Sequence, residues 1–438
     1  MKTFPIHIVS TALASLMFAL IVFGSLPLKA QSGSESGEDN KPAFRLMGDR
    51  GERLVFPFEL INNLVVIEAR INGSEPMKFI LDSGAGRNII TSLYNREIYL
   101  NNTETVMLAG LGEGERLEAF RSRGNQIQIE RIIGEDVEVL ILKEDVFKLA
   151  SFMGTEVHGI LGFDLFDSFA VEIDYRAKLV KIYDPLRSKE KFEELPKHRK
   201  WFTIPIIVEN EKPYTNILFK NSETDEYSPL KLLLDTGASN SLSFYDPTSE
   251  EIVLPENTIN TLLGIGLSGN VSGALGRVKK VKFGPFEFEE PVVAFPDSLS
   301  VRRAFGFDDR NGSVGGDLLR RFKVIFNYHD GLLYLRKNKN FNEDFTYNVS
   351  GIEVSTPFPD LPYYEISFIR KDSPAERAGL EEGDVIRKIN GRKAEELSLN
   401  DLLNIFQNKE GSRVRMEVER DTIDVSLRFE LKDELRLK

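Results

Sequence analysis

Phe79-Ile80-Leu81-Asp82-Ser83-Gly84-Ala85 returns as Leu232-Leu233-Leu234-Asp235-Thr236-Gly237-Ala238, at an offset of 235 − 82 = 153 residues. Two further echoes keep the same order. Leu108-Ala109-Gly110-Leu111-Gly112 is matched by Leu262-Leu263-Gly264-Ile265-Gly266, with Gly114 answered by Gly269. Ile160-Leu161-Gly162-Phe163-Asp164-Leu165-Phe166 is matched by Ser313-Val314-Gly315-Gly316-Asp317-Leu318-Leu319, and the pairs Phe169/Phe322, Tyr175/Tyr328 and Leu179/Leu332 continue the register. Ordered self-similarity of this kind marks a duplicated structural unit. It predicts one lobe over residues 52–185 and a second over 201–338. Short apolar runs such as Leu64 to Ile71 and Val324 to Tyr328, separated by Gly, Asn and Pro, read as strands, so the lobes are expected to be mainly β. Residues 186–200, crowded with Lys, Arg and Glu, read as an exposed connector with room for a helical turn.

An apolar strand running into Asp, a small hydroxyl residue and Gly sets a carboxylate at a buried strand-to-loop junction, where the glycine permits an unusual backbone. One copy reads as a tight turn. Two copies in matched lobes can bring Asp82 and Asp235 face to face, where both cannot ionise together and a proton is shared. Such a pair is an acid and a base at once. It can deprotonate a bound water and polarise a carbonyl without a metal or a covalent intermediate.

On these motifs the chain resembles the aspartic protease superfamily, above all its retropepsin-like branch, in a duplicated single-chain form. The resemblance implies a two-lobed acid-protease-like β-barrel fold and an aspartic endopeptidase with Asp82 and Asp235 catalytic. It implies that Ser83, Gly84, Thr236 and Gly237 support the active-site loops. It also implies that Gly110, Gly112 and Gly114, and Gly264, Gly266 and Gly269, belong to flap-like loops. Neither loop carries the flap tyrosine of pepsin-like members. Gly86 stands where the second lobe has Ser239, so the two catalytic loops are not equivalent. Alanine after each glycine is shared with the retropepsin-like branch and implies activity nearer neutral pH.

From Gly351 the chain changes character. Asp372-Ser373-Pro374-Ala375-Glu376-Arg377-Ala378-Gly379-Leu380, then Gly383-Asp384-Val385-Ile386 and Ile389-Asn390-Gly391, resemble the PDZ domains of bacterial exported proteases, which implies a C-terminal α+β PDZ domain over 351–432. Pro374 suits a first helical position and Gly379 a helix end. Ser398 and Asp401 read as a cap pair for a second helix. The resemblance places the terminal-carboxylate loop near Tyr363, with Tyr364, Glu365 and Ile366 as peptide-binding residues. That stretch lacks the usual glycine, so a PDZ that packs as a fixed cover stands beside one that binds a peptide or C-terminal ligand.

The 438 residues exceed one ordinary core. A net charge of −12 opposes nucleic acid and anionic lipid as partners, leaving a polypeptide substrate. With no cysteine there is no disulfide or thiolate chemistry, and the four histidines lack zinc-helix spacing, so neither metal nor cofactor is expected. Residues 1–30 read as a signal peptide, with a membrane anchor as the alternative. Export to the periplasm or outside the cell follows from either, with residues 31–51 as a disordered linker. Two other functions stay open: a noncatalytic peptide-binding scaffold with a degenerate protease fold, and an anchored protease gated by its PDZ.

Overall fold

The computed structural model describes residues 22–23, 44–48, 53–94, 96–114, 116–222, 226–301 and 309–436. The leader expected over 1–30 lies outside the described residues apart from 22–23, and so does most of the linker expected over 31–51. The described end of that linker is a strand, Phe44–Leu46, paired antiparallel with Ile132–Leu142. Phe44 is the reason. Its ring is buried against the backbone of Gly134, where a Cβ would lie 2.6 Å from it.

Both lobes use one topology. In the first, Met77–Leu81 pairs in parallel with Gly159–Leu161, which pairs antiparallel with Asn88–Ile90. In the second, Ser228–Leu234 pairs in parallel with Gly312–Val314, which pairs antiparallel with Leu242–Phe244. The strands leading to the aspartates are therefore central and buried, as their unbroken apolar runs require. Ile80, Leu81, Leu233, Leu234, Ile160 and Val314 are all fully buried or nearly so. Each such side chain contributes roughly 1.5–3 kcal/mol through burial. A long hairpin flanks each core, Thr103–Gly110 with Leu117–Ile129 and Thr258–Gly266 with Gly269–Arg277.

A six-stranded sheet built from both lobes joins them, in the order Phe202–Pro205, Leu332–Lys337, Phe322–Asn327, Ala170–Asp174, Leu179–Tyr183, Arg53–Pro57. At its centre Glu172 pairs with Ile325. These residues are repeat mates, since 172 + 153 = 325, so the pseudo-twofold axis passes through this pair. The connector carries the helix Lys189–Glu194, and its Phe192 packs with Tyr183 and Tyr334 on the shared sheet. The Glu172 carboxylate is buried there. Lys181 at 2.6 Å and Lys191 at 3.7 Å hold it below its ordinary pKa despite that burial.

Residues 348–433 form a separate compact unit. Its sheet runs Ile352–Ser355, Glu365–Ile369, Val385–Ile389, Arg413–Arg420, Ile423–Glu430. Ser373 caps the helix Pro374–Arg377, and Ser398 with Asp401 forms a reciprocal capping box on Leu399–Phe406. The expected peptide-binding residues need correcting. Tyr364 is buried with its hydroxyl donating to the Leu397 carbonyl at 2.6 Å, and Ile366 is fully buried. Glu365 is paired on both sides, to Ser355 and to Val385. A peptide added as a strand needs a free sheet edge. Among the described residues the outer strands are Ile352–Ser355 and Ile423–Glu430 instead.

Candidate active site

Each of the two repeated aspartates is fixed by the strand beside it. The Asp82 amide donates to the Leu161 carbonyl and the Asp235 amide to the Val314 carbonyl, both at 2.9 Å. That is the task of the apolar-apolar-Gly motifs. In each, only glycine fits, because a Cβ on Gly162 would sit 2.3 Å from the Ala85 carbonyl oxygen and one on Gly315 2.3 Å from that of Asn240.

The lobes clasp through their hydroxyl residues. The Ser83 hydroxyl donates to the Leu234 carbonyl at 2.8 Å and accepts the Thr236 amide at 3.1 Å. Reciprocally, the Thr236 hydroxyl donates to the Leu81 carbonyl at 2.8 Å and accepts the Ser83 amide at 2.9 Å. All four groups are buried, so losing one partner exposes the full desolvation cost of the other. The glycines then lie against the opposite lobe's acid. A Cβ on Gly237 would be 2.1 Å from Asp82 Oδ2, and one on Gly84 2.9 Å from Asp235 Cγ.

Asp82 and Asp235 are completely buried. Oδ1 of Asp82 accepts the Gly84 and Ala85 amides at 2.7 and 3.1 Å, and Oδ1 of Asp235 accepts the Gly237 amide at 3.0 Å. Both Oδ2 atoms have no other protein donor among the described residues. Two such acceptors can bond to each other only through a shared proton. Burial, then the charge of Asp235, pushes the Asp82 carboxyl well above the usual carboxylate range. Burial also raises Asp235, to about 6, against the opposing pull of the Arg310 guanidinium. Both shifts run upward, so the pair as a whole holds a proton that an isolated carboxylate would have lost, and Arg310 favours charge on Asp235. Together they can offer one acid and one base to a water and a carbonyl.

The glycine-rich hairpins meet tip to tip. Ser268 donates its amide to the Leu111 carbonyl at 2.8 Å, and its carbonyl accepts the Gly114 amide at 2.5 Å. Its hydroxyl takes the Gly110 amide at 3.2 Å, and the Gly112 amide donates to the Ser300 carbonyl at 2.9 Å. Gly112 has a φ of 123°, and a Cβ there would lie 2.5 Å from Ser268. A Cβ on Gly266 would lie 2.2 Å from the Leu111 oxygen. Gly264 plays a different part, taking up a register shift within its hairpin. Gly269, at a φ of 93°, turns the second tip.

Two residues escaped the sequence reading. Tyr328 is buried, stacks on Phe166 at 5.6 Å and donates its hydroxyl to the Ser83 carbonyl at 3.1 Å. Its repeat mate Tyr175 has no hydroxyl partner among the described residues. The Tyr175/Tyr328 match was visible in the repeat, but the asymmetry between them was not. Arg310 is buried with its guanidinium 5.5 Å from the Tyr245 ring centre. Its repeat mate is Val157, and that replacement of an apolar residue by a charge was the available signal. Among the described residues no three His, Asp or Glu side chains converge as metal ligands.

Residues 67–165 and 223–317 match the aspartyl protease family, and residues 365–420 match the PDZ domain. The chain is 27% identical over 182 residues to the carboxy-terminal processing protease CtpA of Bacillus subtilis (strain 168), an alignment covering 40% of this chain and 38% of that protein. It is 30% identical over 98 residues to a probable CtpA-like serine protease of Staphylococcus haemolyticus (strain JCSC1435), covering 22% of this chain and 20% of that one. The chain thus spans well under half the length of these relatives. Among solved structures, the aspartic proteinase from Irpex lacteus aligns with 67% of this chain and 99% of its own at 11% identity and a TM-score of 0.41.

Proposed function

We propose that this chain, whose two lobes match the aspartyl protease family and whose C-terminal unit is a PDZ domain, is an aspartic endopeptidase that hydrolyses polypeptides at Asp82 and Asp235. The observation that carries the reading is the buried carboxyl pair, each member pressed against the other lobe's glycine and short of protein donors at Oδ2. In the proposed reaction Asp235 takes a proton from water as the oxygen attacks the scissile carbonyl, while Asp82 gives its proton to the carbonyl oxygen. The tetrahedral diol then collapses. Asp235 protonates the departing amide nitrogen, the C–N bond breaks, and a diol hydroxyl returns its proton to Asp82. Protons balance and no covalent enzyme intermediate forms.

The name of the Staphylococcus haemolyticus relative, a probable CtpA-like serine protease, favours a second reading, a serine-type peptidase. A serine nucleophile needs a free hydroxyl beside a general base. At the lobe interface the Ser83 hydroxyl is instead committed to the Leu234 carbonyl and the Thr236 amide, so Ser83 is not placed as such a nucleophile. Casein cleavage by the purified chain from about pH 4 to pH 8, beside Asp82→Asn and Asp235→Asn, decides between them. Loss in both variants and block by pepstatin support the dyad. Cleavage that survives in both and yields to a serine-directed reagent refutes it. The leader-like residues 1–30 support an exported enzyme, tested by sequencing the N-terminus of the mature chain.

A further inference from the structure

The edge strand of the PDZ unit, Ile352–Ser355, begins in a loop tied to the second helix, because the Val349 amide donates to the carbonyl of Phe406 at that helix's end. A run of backbone amides in such a loop, beside a strand with no outer partner among the described residues, is where a peptide's terminal carboxylate would be captured. Here the amides are already spent. Asn348 Oδ1 accepts the Ser350 and Gly351 amides at 3.2 and 3.3 Å and the Ser350 hydroxyl at 2.7 Å. The Ser350 hydroxyl oxygen accepts the Ile352 amide at 3.1 Å. The chain has in effect placed its own carboxamide oxygen in the nest.

The next residue closes the site to anions. Glu353 turns its side chain inward, where it is buried and accepts Asn348 Nδ2 at 3.1 Å. The nearby cation, Arg370, gives an N–H to the Asn348 carbonyl at 3.3 Å. Burial pushes the Glu353 carboxyl up to about 8 in spite of Arg370. A pocket that cannot keep its own carboxyl ionised at neutral pH is a poor host for a second negative charge.

We propose that this PDZ domain takes an internal extended segment of polypeptide, added as a strand to the edge Ile352–Ser355, and refuses C-terminal carboxylates because Asn348, Ser350 and Glu353 occupy the place of one. This rests on reading the unit as peptide-binding and is independent of the Asp82/Asp235 chemistry. It fits an endopeptidase that must hold substrates far from their ends.

The test uses the full chain carrying Asp82→Asn, so that no ligand is cut. Short peptides tiled across β-casein are prepared both as free acids and as C-terminal amides, and binding is read by fluorescence anisotropy. Acid and amide forms are expected to bind within about twofold of each other. Adding Asn348→Gly and Glu353→Gly is expected to raise affinity for the acids by about fivefold or more while leaving the amides unchanged. The proposal is overturned by a free-acid preference of about tenfold without those changes, by no binding of either form, or by an acid-to-amide ratio that the double variant leaves unaltered. Asn348 and Glu353 lie in the PDZ unit, so the change they make in the acid-to-amide ratio separates binding there from binding at the dyad.

Discussion

Asp235→Asn should abolish cleavage and at the same time stabilise the lobes at neutral pH. The substitution is isosteric, its carbonyl oxygen can keep the Gly237 amide, and its NH2 can face Asp82 Oδ2. The magnitude follows from the rise of Asp235 from 3.8 to about 6. Below about pH 4 both folded and unfolded chains hold the proton, and nothing is lost. As pH rises through the unfolded-state value, the unfolded chain releases its Asp235 proton while the folded chain keeps it until near 6, so the Asp235 contribution to wild-type stability falls across that window and levels off above it. Two pH units at 1.36 kcal/mol each give about 3 kcal/mol. For a two-lobed unit spanning residues 16–347, with unfolding entropy of about 2 cal/mol/K per residue, that is a rise in Tm of about 4 °C. The single tryptophan, Trp201, packs on the shared sheet, so its fluorescence follows unfolding of the lobes rather than of the PDZ unit. Melting curves of wild type and variant are compared at about pH 4 and pH 7.5. A gain absent at the higher pH, or undiminished at the lower, refutes the strained buried dyad.

Gly237→Ala, with its Cβ 2.1 Å from Asp82 Oδ2, should leave a folded chain with casein cleavage below detection, and retained Trp201 melting separates that outcome from unfolding. Tyr328→Phe removes a hydroxyl that braces the Ser83 carbonyl and should lower kcat about fivefold with KM unchanged, whereas Tyr175→Phe, whose hydroxyl has no partner among the described residues, should do neither. Gly266→Ala drives a methyl to within 2.2 Å of the Leu111 oxygen and should hold the flap tips apart. Its expected signature in peptide kinetics is a raised KM with the melting temperature nearly unchanged. Ser83→Ala should destabilise the lobes by about 1–3 kcal/mol, since the Leu234 carbonyl and Thr236 amide are left buried without that partner; an unchanged urea midpoint would contradict it.

Much of this site was legible because its parts are local. A fully apolar strand ending in Asp-Ser/Thr-Gly declares burial and a tight loop in seven residues, and a second copy declares the pairing. The supporting Ile160-Leu161-Gly162 was equally plain, because the neighbouring backbone leaves no space for a side chain at Gly162. The shared sheet was harder to read. Glu172 against Ile325 has no mark in either segment, since it arises from the meeting of two repeats. The PDZ edge failed for a related reason. Glu365–Ile369 and Ile352–Ser355 are both short strands that alternate apolar and polar residues, and only pairing tells which is interior. Phe44–Leu46 was lost in a polar surrounding, where one buried ring outweighs local composition.

Duplication alone would give two equal carboxyls, and equal carboxyls have no preferred acid or base. The departures from the repeat supply the difference. Arg310 stands where the first lobe has Val157 and favours charge on Asp235. For Asp82, burial and then the charge of Asp235 are the largest causes, and they raise its carboxyl well above the usual range. Tyr328 grips the Ser83 carbonyl, whereas Tyr175 makes no matching hydrogen bond among the described residues. The loop that carries the acid is thus braced from below, while the other is tuned by charge. In the proposed reaction the repeat supplies the two carboxyls, and the few positions that break it make their surroundings unequal.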